Sequence, residues 1–165
     1  MSFYHAIMRP EWARLEQRRG KEVWAAAGER FRSNVLGPHF EALCRTWASE
    51  HAAGETFGGH PARVAAAVVN DPGRRQTHQV DVAVVAQDGR VLSLGEAKVG
   101  ETMGLPHLEK LEHIRDLRAA RGQLDLGPTK LACYSAAGFT ADLRAAETAG
   151  RVVLVCGRER LYTGS

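Results

Sequence analysis

The chain has 165 residues, of which 44% are hydrophobic and 25% charged, and its 22 Lys and Arg against 19 Asp and Glu leave a net charge of +3. This is about one domain of ordinary globular composition, long enough to bury a real core. No run approaches the roughly 20 apolar residues that span a bilayer, and no apolar signal core follows the first residues, so a cytoplasmic protein is expected. The small positive charge fits a nucleic-acid partner without requiring one. Cys44, Cys133 and Cys156 are odd in number and stand far apart without CxxC spacing, which argues against a disulfide framework or a zinc knuckle and reads them as small core residues.

In chain order, FYHAIMRP at 3–10 spaces Phe3, Tyr4, Ile7 and Met8 like a helix face. Residues 9–33 carry helix formers with Trp12, Leu15, Val23 and Trp24 as apolar points, and Gly20 predicts a break between two short helices. LGPHFEALCRTWASEH at 36–51 places Phe40, Leu43, Cys44 and Trp47 at i, i+3, i+4 and i+7, an amphipathic helix with Pro38 near its first turn. The Gly-rich AAGETFGGHPAR predicts a loop, RVAAAVV at 63–69 a strand, and NDPGRRQ a turn whose Arg74 and Arg75 read as solvated.

QVDVAVVA at 79–86 and VLSLGEAKV at 91–99, joined at Asp88-Gly89, predict a β-hairpin. PHLEKLEHIRDLRAARG at 106–122 predicts a charged amphipathic helix with Leu108, Leu111, Ile114 or Arg115, and Leu117 on one side. A strand at 129–135, a short helix at 139–150 ended by Gly150 and a strand at 151–157 complete the chain. A hairpin combined with helix-linked strands implies an α/β layered domain with a mixed sheet.

Within that hairpin, LGEAKVG at 94–100 puts Glu96 and Lys98 on one face about 7 Å apart, given roughly 3.4 Å of rise per residue. Strict alternation gives them Leu92 and Leu94 as neighbours and puts Asp81 of the partner strand with Ala83 and Val85. A charged, unpaired carboxylate in an apolar strand is costly to bury. Asp81 or Glu96 pairs with Lys98 as an ordinary cross-strand ion pair of little energetic consequence, or Asp81 and Glu96 converge on a hard divalent cation with Lys98 beside it.

Asp81 in VDVAVV, a hairpin turn, Glu96 and Lys98 in GEAK, and Glu41 in the leading helix GPHFEALC together resemble the PD-(D/E)XK, or restriction-endonuclease-like, nuclease superfamily. More narrowly, FYHAIMRP, GPHFEALCRTW, VDVAVV, LGEAKVG and SAAGFTADL resemble, in order along nearly the whole chain, the C-terminal domain of unassigned function in prokaryotic DEXX-box AAA+ ATPases. The resemblance departs in two places: no proline precedes Asp81, and RVAAAVVN stands where a Trp-rich strand is expected. No GxxxxGK[ST] occurs, so a P-loop ATPase activity would belong to an upstream part.

The resemblance implies a restriction-endonuclease-like mixed β-sheet flanked by helices, with an αβββαβ core and N-terminal helices. It implies residues 1–34 as a helical segment continuing from an upstream ATPase or winged-helix part, and 35–165 as the nuclease-like domain. Asp81, Glu96, the backbone carbonyl of Ala97 and Glu41, directly or through water, would hold Mg²⁺ or Mn²⁺. Lys98 would orient or help deprotonate the attacking water, for phosphodiester hydrolysis. The partners implied are nucleic acid, DNA before RNA, the AAA+ domain of the same longer protein, and copies of the chain in a homo-oligomer; no membrane is implied. The alternative is a catalytically silent DNA-binding or oligomerisation module of that ATPase; a small stand-alone interaction protein is a third reading.

Other residues weigh less. Glu109 and His113 stand i, i+4 on one helix and read as solvated rather than as ligands. His78 either faces the site or ends the loop. Lys110, Arg115, Arg118 and Arg121 line a phosphate backbone or form a solvated face, and no aromatic stripe supports single-strand binding.

Overall fold

The computed structural model describes residues 3–122 and 129–156, so Gly157 of the expected last strand lies outside them. The chain divides into two compact units, Met1–Phe40 and Glu41–Ser165.

The first unit is helical. A π-helical turn at Tyr4–Met8 and a 3-10 turn at Arg9–Glu11 lead into α1 (Trp12–Glu16) and α2 (Gly20–Phe31). The break between helices falls at Arg18, which has a positive φ of 59°, and Gly20 opens α2 instead of ending its predecessor. Ala6, Ile7 and Ala27 are buried together under Phe31 and Val35. Trp24 packs its ring on Phe3 and Phe31 yet stays about half exposed, as does Trp12, whose indole N–H donates to Glu16.

The second unit is an α/β domain. It follows from α3 (Gly37–Glu50) through the short α4 (Gly54–Phe57), a turn of helix where a loop was expected, into β1 (Arg63–Asp71), β2 (Gln76–Val85) and β3 (Val91–Lys98). Then come α5 (Leu105–Ala119), β4 (Lys130–Ser135), α6 (Ala141–Thr148) and β5 (Val153–Cys156). The five strands lie in sequence order, with β1-β2-β3 antiparallel and β3-β4-β5 parallel through the α5 and α6 crossovers. The order αβββαβ and the mixed sheet are as expected.

Period and burial explain the layers. Leu108, Leu111 and Ile114 recur at helical spacing on α5 and meet Leu143 and Ala146 of α6 over Val80, Ala83, Leu94, Leu131, Cys133 and Leu154 of the sheet. Residues one step out of phase face the other way: Tyr134 stacks edge-on against Trp47 of α3, which also meets Phe57 of α4. Leu43 is exposed, so the buried stripe of α3 is narrower than the spacing suggested.

Gly95 lies under Tyr134. A Cβ there would come within 2.7 Å of Tyr134 Cε2 and 3.2 Å of the Ala132 carbonyl, so glycine is what leaves room for the ring against β3. Among the described residues no helix is long and apolar enough to cross a membrane.

Candidate active site

Two β-bulges interrupt the alternation on which the strand faces were assigned. Ala65 pairs with Ala83 and Ala67 with Val80, so β2 carries one extra residue across Asp81 and Val82; β3 carries another at Leu92. Val80 and Ala83 consequently both enter the core beneath α5, and Asp81 no longer shares Ala83's face. The β2–β3 ladder runs only from Val85↔Val91 to Val82↔Gly95. Asp81 sits just past its last rung, where its Oδ2 accepts the Ala97 N–H at 2.8 Å and substitutes for the missing ladder bond.

Arg45 on α3 donates to the Asp81 carbonyl at 2.9 Å, and the same guanidinium nitrogen lies 3.9 Å from Glu41 one helical turn earlier. Burial and the Asp81 charge push the Glu41 carboxyl above its ordinary range, against the opposing pull of Arg45 and Lys98. Glu41 and Asp81 are therefore electrostatic neighbours although they lie 40 positions apart in the chain.

Glu96 is the more enclosed carboxylate, 3% exposed. Its Oε1 accepts from Lys110 Nζ at 2.8 Å and lies 3.3 Å from Lys98 Nζ, while its Oε2 is buried without a hydrogen-bond partner. Both lysine side chains are about one-third exposed. Burial would lower the Lys98 amine, but the charge and hydrogen bond of Glu96, with smaller help from Asp81 and Glu101, hold it above the ordinary lysine value.

Glu41, Asp81, Glu96 and Lys98 thus occupy one region at the point where β2 and β3 part. Among the described residues, the three carboxylates do not bring one oxygen each within 4.8 Å of one another; Asp71, His78 and His113 do. Two lysines draw Glu96, and a backbone N–H draws Asp81.

Sequence reasoning placed Lys110 on a solvated or phosphate-lining face, whereas it reaches the predicted glutamate. The signal was its position one turn into a helix following GEAK, but helix phase relative to the sheet is not written in the local pattern. Two other cations of this stretch go elsewhere: Arg115 on α5 pairs with Asp116, and Arg121, just past the helix end, donates to the Asn70 carbonyl at 2.8 Å. His78 turns to Asp71. Cys44, Cys133 and Cys156 are free thiols, Cys156 only partly buried; burial pushes Cys44 and Cys133 up to about 12, so neither offers a thiolate nucleophile at neutral pH.

No family model matches the chain, and no curated protein matches it. Two solved structures are similar to part of it. One is a repair endonuclease from Pyrococcus abyssi, with 16% identity and a TM-score of 0.37 over 56% of this chain and 38% of that one. The other is an EndoMS-dsDNA2 complex, with 13% identity and a TM-score of 0.35 over 55% of this chain and 35% of that one. The similarity therefore spans little more than a third of either protein's own length.

Proposed function

We propose that residues 35–165 form a Mg²⁺-dependent nuclease domain that hydrolyses phosphodiesters of DNA, as the C-terminal part of a prokaryotic AAA+ ATPase. The observation that carries this reading is Glu96: a buried carboxylate with an unpartnered Oε2, flanked by two lysines, next to the gap that Asp81 fills between β2 and β3. An orphaned buried oxygen is costly unless something completes it, and the burial and neighbouring Asp81 charge that raise Glu41 are both offset by a cation bound between the carboxylates. The donors are all oxygens, the set a hard divalent ion takes.

Asp81, Glu96, the Ala97 carbonyl and Glu41 would hold Mg²⁺ or Mn²⁺. When bound, the ion supplies Lewis-acid polarisation of the scissile phosphate and a lowered pKa for the attacking water. The chain's own residues do the rest. Lys98 orients that water and places positive charge against the phosphate oxygens as charge develops on them. Lys110 neutralises Glu96 and, being partly exposed, adds a second ammonium for the nucleic-acid backbone. Arg45 fixes Asp81 through its carbonyl.

The AAA+ context, the segment 1–34 as a continuation from an upstream part, and assembly into a homo-oligomer rest on the sequence resemblance. The rival reading, a silent DNA-binding or oligomerisation module, is favoured by one observation: Lys98 and Lys110 both pair with Glu96 and compensate its charge.

Calorimetric titration with Mg²⁺ and Mn²⁺ of the wild type, Asp81→Ala and Glu96→Gln, followed by incubation with plasmid and branched DNA, tests the proposal. Metal-dependent cleavage lost in both variants supports it. DNA binding without cleavage at any divalent concentration supports the module instead.

A further inference from the structure

A second cluster lies away from the carboxylates just described. Asp71 ends β1 and is 3% exposed; its Oδ1 accepts the Arg74 N–H within the β1–β2 turn at 3.1 Å. That leaves Oδ2 facing two imidazoles, His113 Nε2 of α5 at 2.8 Å and His78 Nε2 of β2 at 3.4 Å. The rings stand edge to face with centroids 5.3 Å apart. The three ligand atoms all fall within 4.8 Å of one another.

We propose that Asp71, His78 and His113 form a binding site for one divalent first-row transition ion of the zinc class. Tetrahedral Zn²⁺ with bonds of about 2.0–2.1 Å needs donors roughly 3.4 Å apart. The observed separations of 2.8 and 3.4 Å need only a small outward shift of the rings to admit the ion. Two neutral imidazoles and one carboxylate supply one negative charge and a nitrogen-rich set, which selects zinc-class ions over Mg²⁺. Asn70, Asp71, Pro72, Arg75, Gln76 and Thr77, from the facing strand ends and the turn between them, line an open hollow on the Asp71 side of the cluster. The nearest competitors are held loosely: Arg74 Nε is 3.9 Å from Oδ2 on a largely exposed side chain, and Gln76 Nε2 is 3.4 Å from His78 Nε2.

The three donors come from three elements, so the ion would tie the end of β1, the start of β2 and the middle of α5 into one cross-brace. Three protein ligands leave a fourth position for water or an incoming donor. The site does not depend on the nuclease reading, because it shares no ligand with the Glu41, Asp81 and Glu96 group.

The test uses the full chain, stripped by a chelator and titrated with Zn²⁺ by calorimetry, with unfolding followed by circular dichroism. Zn²⁺ should bind to the wild type and raise its unfolding midpoint, with one equivalent remaining in Glu96→Gln, where the carboxylate group is disabled. His113→Ala should weaken binding at least 10-fold and lose the rise, while Glu96→Gln keeps both. Because His113→Ala could also perturb folding, Co²⁺ is added to the wild type, where the site predicts a visible spectrum without a thiolate charge-transfer band. A thiolate band would assign the ion to a cysteine and overturn the proposal. Absence of saturable Zn²⁺ and Co²⁺ binding to the wild type would overturn it too, leaving the histidines as hydrogen-bond partners of Asp71.

Discussion

Two buried carboxylates, each 3% exposed, are met by the same helix in different ways. Glu96 is compensated by Lys110, and Asp71 by His113, one turn further along α5. An ammonium donates and cannot ligate; a neutral imidazole has a nitrogen lone pair that can. The Glu96 region therefore holds its charge by ion pairing, with hard oxygens around it and one oxygen left over. The Asp71 region holds its charge by hydrogen bonds from groups that would become ligands with little movement. A single helix face thus produces two chemical environments from a three-residue offset.

The largest effect expected is on the Glu96 side. Asp81→Ala and Glu96→Gln should each lower metal-dependent phosphodiester cleavage at least about 100-fold, the scale on which loss of one charge-stabilising group acts, while His113→Ala leaves cleavage within a few-fold. A plasmid-nicking time course measures this, and equal losses in all three would erase the distinction between the regions. Next comes the packing that holds Glu96 in place. Gly95→Ala should destabilise the fold by about 1–3 kcal/mol, because its Cβ would drive Tyr134 into Trp47; urea unfolding with an unchanged m-value reads it.

Lys110→Met should cost about 1 kcal/mol, reduced from the cost of breaking a fully buried pair because Lys110 is partly exposed and Lys98 stays with Glu96. No change in urea midpoint would mean that the Glu96–Lys110 contact is as inconsequential as a surface pair. The smallest effects separate the regions by the sign of their pH dependence, without divalent ions. Asp71 is held down to about 2, chiefly by the His113 hydrogen bond, so its contribution is present above the ordinary aspartate value of 3.8 and is lost as pH falls toward 2. Glu41 is raised above 4.5, so stability is present below that value and lost as pH rises through the raised one. In stability measured against pH, His113→Ala should flatten the first limb and Glu41→Gln the second; a limb surviving its own variant would refute the assignment.

Much of the domain was legible locally. The alternation of QVDVAVVA and VLSLGEAKV around Asp88-Gly89 located β2 and β3, with Gly89 at φ 85° in the turn. The helical recurrence of Leu108, Leu111 and Ile114 located the buried face of α5. The side-chain directions within the hairpin were less legible. Period 2 holds only for an uninterrupted ladder: the bulge at Asp81–Val82 shifts the phase where the candidate site begins, and the one at Leu92 shifts it at the far end of the β2–β3 ladder.

By itself the sequence determined the αβββαβ order, the hairpin, and the placing of Asp81, Glu96 and Lys98 on neighbouring strands, because hydrophobic period and turn chemistry are read over a few adjacent residues. Only the tertiary structure decided that Lys110 neutralises Glu96, that Arg45 holds Asp81, and that His78 and His113 meet at Asp71. Those contacts join residues 14, 36, 7 and 42 positions apart. They depend on the angle at which α3 and α5 pack on a bulged sheet, which is set by the fit of the whole core and is not encoded in any single local pattern.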